Sequence, residues 1–192
     1  MKMLILLVIA AVTIANQVIA QDAEEIVVYE DSRGDYFRID VQYSKQPDGR
    51  ESCTLILLDR QTETVLSLIV PGSRSEVGFI TFTAPNGFFG FFKPPESQSL
   101  AFEFLDENGE TTMNSALGYW DFSVEEVIQS PNTVSYLLLS GVDDLWAFAR
   151  DWYDSSAVFV ENGSGEDLGS MTLHRSKEGM QALADCWSGT KD

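Results

Sequence analysis

The chain holds two cysteines, Cys53 and Cys186, and one histidine, His174, and that small inventory bounds its chemistry. A zinc site needs three or four N, S or O ligands at fixed spacing. A lone histidine beside an arginine, with the cysteines 133 positions apart, supplies no such set. A Ser-His-Asp triad would have to use His174, and no Gly-x-Ser-x-Gly elbow marks a nucleophile. Glycoside hydrolysis needs only two carboxyl groups at a set separation. With 30 acidic residues, pairs such as Glu125-Glu126 and Asp143-Asp144 are unavoidable, and each also reads as the start of a helix. The best metal candidate is Glu161 to Asp167, "ENGSGED", which offers flexible oxygen donors to calcium. It lacks the residue order of an EF-hand and reads first as a solvated hairpin loop. Arg33-Gly34-Asp35 matches an integrin-type tripeptide and also ordinary turn chemistry. Asn162-Gly163-Ser164 is a glycosylation sequon, relevant only in a eukaryotic secretory pathway. No catalytic residue, cofactor or metal is assigned.

The other conspicuous stretch is "APNGFFGFFKPPES", with Phe88, Phe89, Phe91 and Phe92 between turn-forming residues. One reading makes these rings a partner-binding patch, since exposed aromatics mark interfaces. The other continues a core strand through a kink at Gly90. Adjacent phenylalanines cannot both face inward on a regular strand. One ring of each pair is therefore expected under a late helix or outside.

The compartment follows from the N-terminus. Lys2, the apolar run 4–15 and the small or branched residues Val18, Ile19 and Ala20 form a secretory signal peptide over residues 1–20. The run is shorter than the roughly 20 residues a membrane span needs, so no stable membrane anchor is expected. An exported chain with two cysteines implies one disulfide, Cys53–Cys186. The remaining residues 21–192 amount to one domain. The net charge is −18, spread along the chain. That field repels nucleic acid and anionic lipid and suits either plain solubility or a basic partner.

These residues need a scaffold. β-Branched and aromatic runs separated by turn residues predict strands over 26–29, 36–43, 53–59, 65–70, 77–83 and 100–105. The Asn-Gly turn at 108–109 predicts a hairpin returning through 110–113. Alternation puts Phe79, Thr81 and Thr83 on one face and Ile80 and Phe82 on the other. The period then changes. Ser123-x-x-Glu126 reads as a capping box opening a helix over 123–130. Apolar spacing predicts further helices over 142–152 and 176–187, with a hairpin between them. These two can be superposed at an offset of 35 residues, as a strand–turn–helix repeat or as two unrelated helices of one design. The expected class is α+β: mainly an antiparallel β-sheet or sandwich with two to three short helices in the C-terminal third.

"FTAPNGFFGFFKPPESQSLAFEFLDENG", "WDFSVEEVIQSPNTVSYLLL" and "GSMTLHRSKEGMQALADCW" together resemble stretches of the invasion-associated locus B family of exported bacterial proteins. The resemblance spans about residues 50–187, and the family's central cysteine pair has no counterpart in the segment 111–118. It implies a small exported β-rich domain, associated with host interaction, with no enzymatic activity and no catalytic residues to carry over. The expectation is thus a non-enzymatic periplasmic or secreted binding or accessory module with a protein partner in the cell envelope or host. The alternatives are an inhibitor of a basic secreted enzyme such as lysozyme, and a carboxylate-based hydrolase.

Overall fold

The computed structural model describes residues 22–30, 37–45, 49–72, 76–85, 99–112, 118–173 and 175–189. The expected signal peptide over residues 1–20, the four phenylalanines 88, 89, 91 and 92, the Arg33-Gly34-Asp35 tripeptide and His174 lie outside them. The strands are β1 (Asp22–Glu30), β2 (Phe37–Lys45), β3 (Glu51–Asp59), β4 (Thr64–Pro71), β5 (Val77–Pro85), β6 (Ser99–Leu105), β7 (Trp120–Gln129), β8 (Thr133–Gly141), β9 (Ala157–Asn162) and β10 (Asp167–Thr172). The helices are α1 (Val142–Asp154) and α2 (Ser176–Gly189).

All ten strands hydrogen-bond into one antiparallel sheet, in the order β1-β2-β3-β4-β5-β8-β7-β6-β9-β10. The first five form a meander. The chain then leaves β5 at Pro85 and re-enters at β6, three strands further along the sheet, with β8 and β7 between. Of the two anticipated arrangements, the ladder among the described residues is that of a single sheet, and two helices accompany it.

The register explains the core. Val41, Leu55, Leu68, Ile80, Leu138 and Val124 stand side by side across six strands. All but the half-buried Val124 are almost fully enclosed. Burying each such side chain contributes roughly 1.5–3 kcal/mol. The alternation expected in β5 holds, with Ile80 and Phe82 inward. Both helices cover this face. Helix α1 lies over β4, β5 and β8, and α2 over β1, β2 and β3. Trp146 and Trp187 meet edge-on between them, with ring centres 5.2 Å apart.

Two glycines permit this approach. A Cβ at Gly78 would stand 2.6 Å from the Leu145 side chain and 2.9 Å from the Ile69 carbonyl oxygen. One at Gly179 would stand 2.8 Å from Ile39 and 3.0 Å from Leu55. Cys53 on β3 and Cys186 on α2 form the expected disulfide, with Cα atoms 6.1 Å apart. The bond anchors α2 to the sheet.

One expectation requires correction. The segment 123–130 is not a helix but most of β7, held between β6 and β8. A β-bulge between Val124 and Glu126 slips the register by one residue. The inward positions therefore run Phe122, Val124, Val127, so one interval lengthens from two residues to three. Glu126 extends no capping box and is exposed. The expected hairpin return forms: Leu105 bridges Thr111, the Asp106 N–H donates to the Glu110 carbonyl oxygen at 2.9 Å, and the Thr112 N–H donates to the Phe104 carbonyl oxygen at 3.0 Å. Asp106 closes the preceding turn by accepting hydrogen bonds from the backbone N–H groups of Asn108 and Glu110, at 2.7 and 2.9 Å. These bonds, that of Glu110 foremost, lower the pKa of this exposed carboxyl.

Candidate functional site

Strand β6 alternates cleanly. Leu100, Phe102 and Phe104 are fully buried, so Ser99, Ala101 and Glu103 point to the opposite, outer face. The first two outward residues are small. The neighbouring strands β7 and β9 carry larger ones beside them. Ala101 is flanked by Asp121 on one side and Glu161 on the other. Glu103 is flanked by Phe159 on β9, and Tyr119 precedes β7 on the opposite side. Small residues between two taller rows make a groove along β6. Its walls stand about 10 Å apart at Cα, twice the strand spacing.

The groove encloses about 610 Å³ and is lined by residues from β6, β7, β9 and the turns beside them. It has two levels, an acidic one at Asp121 and Glu161 and an aromatic one at Tyr119 and Phe159. The two rings are 42% and 38% exposed, among the largest apolar exposures of the described residues. Glu103 closes the aromatic end and accepts a 2.8 Å hydrogen bond from the Thr111 hydroxyl. Among the described residues, no lysine or arginine lines the groove. Asp167 on β10 stands directly opposite Glu161, extending the acid beyond the rim. Like charges in that register are destabilising in the free protein.

The inner face holds this surface rigid. Phe102 meets Phe82, Phe122 and Phe148 edge-on, at 6.3, 6.1 and 5.3 Å between ring centres. Trp120, one residue from Tyr119, stacks on Phe122 and donates its indole N–H to the buried Asp151 carboxylate of α1 at 2.8 Å. That bond fixes the start of β7 to the helix beneath. At the other end, the Gly163 N–H donates to the Ser99 carbonyl oxygen at 2.9 Å. A Cβ at Gly163 would stand 2.8 Å from the Ser99 hydroxyl oxygen.

Other sequence candidates take their places around this frame. In the loop 161–167, the Asn162 side-chain oxygen accepts from the backbone N–H groups of Ser164 and Glu166, at 3.0 and 2.9 Å. Its amide donates to the Glu166 carboxylate at 2.9 Å. Asn162 thus closes the β9–β10 turn, while Glu161 belongs to the groove. Glu125 and Glu126 are exposed on β7, and Asp143 and Asp144 are exposed in the first turn of α1. The two acidic pairs occupy separate elements. Among the described residues, no three or more of His, Cys, Asp and Glu gather closely enough to hold a metal ion.

Comparison with family models, curated proteins and solved structures returned no match. The site is therefore read from its geometry alone. Tyr119, Asp121, Ala101, Glu103 and Phe159 were not singled out in the sequence. Alternation within 100–105 does put Glu103 outward. The pairing of β6 with β9, nearly sixty positions downstream, has no local signal.

Proposed function

We propose that the chain is an exported, non-enzymatic binding or accessory module of the bacterial cell envelope, and that the β6 groove is where its partner docks. The observation that carries this is the groove itself, which presents two exposed aromatic rings and two flanking carboxylates on a rigid sheet face. Export is supported by the N-terminal pattern of residues 1–20 and by the Cys53–Cys186 disulfide, a bond that persists in oxidising compartments. No helix among the described residues is long and apolar enough to cross a membrane. The resemblance to invasion-associated locus B proteins supports the same class and extends it to host contact.

Ala101→Trp tests the docking site, because it fills the groove without altering its charge. The mature chain and the variant are immobilised and exposed to envelope extract with a crosslinker. A defined partner crosslinked by the mature chain and lost from a normally folded Ala101→Trp is the expected result. Equal crosslinking by both removes the groove from the reading. Fractionation tests export: the expected product is an oxidised chain beginning at Gln21 outside the cytoplasm, and a reduced, full-length cytoplasmic chain overturns it.

A second reading, inhibition of a basic secreted enzyme such as lysozyme, is favoured by the acidic level of the same groove. Inhibition abolished by Ala101→Trp would select it. A carboxylate-based hydrolase would use Asp121 and Glu161. Hydrolysis of envelope glycan by the purified chain, abolished by Asp121→Asn, would select that alternative instead.

A further inference from the structure

We infer that the β6 groove accepts an arginine-bearing, extended segment of a basic partner protein. This rests on the reading of the groove as the docking site and specifies the chemistry of its occupant. Shape comes first. The groove follows β6 and is about two strand spacings wide, which admits one extended chain or one long side chain. From Ser99 to Glu103 its floor runs roughly 14 Å, the length of about four extended residues.

Charge selects the sign. Asp121, Glu161 and Glu103 line the groove, with no lysine or arginine beside them among the described residues, and the whole chain carries a net charge of −18. Charge complementarity of this kind steers a cationic partner and suppresses acidic ones. The opposed carboxylates of Glu161 and Asp167 add a reason internal to the fold. Their mutual repulsion is relieved when a cation sits beside them.

The aromatic level selects arginine over lysine. A planar guanidinium stacks on ring faces and pairs bidentately with a carboxylate, whereas an ammonium acts as a compact hydrated point charge. Tyr119 and Phe159 are the exposed rings at this level, with Asp121 and Glu161 two residues further along the same two walls. A side chain entering between the rings reaches a carboxylate without leaving the groove.

The test uses the oxidised mature chain and a fluorescein-labelled heptapeptide carrying two arginines among glycines and serines. Matched peptides carry lysines or glutamines, and free spermidine serves as a competitor. Fluorescence anisotropy at low ionic strength should show binding of the arginine peptide, weaker binding of the lysine peptide and none of the glutamine peptide. Asp121→Asn with Glu161→Gln should weaken arginine-peptide binding at least about tenfold. Asp143→Asn with Asp144→Asn removes the same charge from an exposed helix start and should change it less than about twofold. Circular dichroism checks that each variant is folded. Equal losses in the two double variants would reduce the effect to net charge and overturn the inference. Absence of arginine-peptide binding overturns it too, as does spermidine competing as strongly as the peptide itself. If Ala101→Trp loses the envelope partner while Asp121→Asn with Glu161→Gln keeps it, the docking site stands and the arginine inference fails.

Discussion

Tyr136 on β8 is 7% exposed, with its hydroxyl in the field of Glu166. Burial raises its pKa above that of an ordinary phenol, and the nearby carboxylate adds to the shift. A phenol whose folded pKa lies above its unfolded value contributes stability that is complete below about pH 10 and lost as pH rises through the folded value. The melting temperature of the mature chain should therefore fall more steeply between about pH 9 and 11 than that of Tyr136→Phe. Parallel curves for the two would remove this residue as the cause. Other single residues matter through space rather than charge. Gly78, Gly163 and Gly179 each mark a place where one element presses on another. Their role was invisible in the sequence because the contacts they permit come from distant segments. Asn162, by contrast, closes a turn with its own neighbours, and the Asn-Gly-Ser pattern is legible as a turn on local grounds.

At the level of elements, strands and late helices were legible where period and propensity agreed. β3 to β6 carry clean apolar runs, and α1 and α2 follow helical spacing. β7 was misread because Ser123-x-x-Glu126 imitates a capping box, while its bulge stretches one inward interval, Val124 to Val127, from two residues to three. Ladder partners on both sides then outweigh a local helix signal. The attachment of α2 is the element-scale feature most open to measurement. Cys53 is fully buried on β3, and its bond to Cys186 closes a loop of 133 residues. On a chain-entropy model that crosslink contributes roughly 4–5 kcal/mol. Reduction, or replacement of both cysteines by alanine, should lower unfolding free energy by about that amount in urea titration. A change below about 1 kcal/mol would show that α2 is held by packing on Ile39 and Leu55 alone.

At the level of the whole molecule, excess acid sets the behaviour. A chain of net charge −18 repels itself as well as other anions. Raising salt shortens the Debye length from about 30 Å at 0.01 M to about 3 Å at 1 M. The melting temperature should accordingly rise by a few degrees across that range, while capture of a basic partner in the groove should weaken. A melting temperature independent of salt would mean that the acids are dispersed enough not to strain the fold. The opposite responses of stability and binding separate the whole-molecule charge from the local charge of the groove.

The sequence by itself determined the β-rich class, the late helices, the disulfide pairing and the acidic character, because each follows from local period, composition or a forced pairing of two cysteines. Tertiary structure alone decided that β6 lies between β7 and β9, and so that Asp121, Ala101 and Glu161 form one row. Those strands are brought together by long-range ladders, whose register depends on the aromatic core packed beneath them and not on any residue's immediate neighbours.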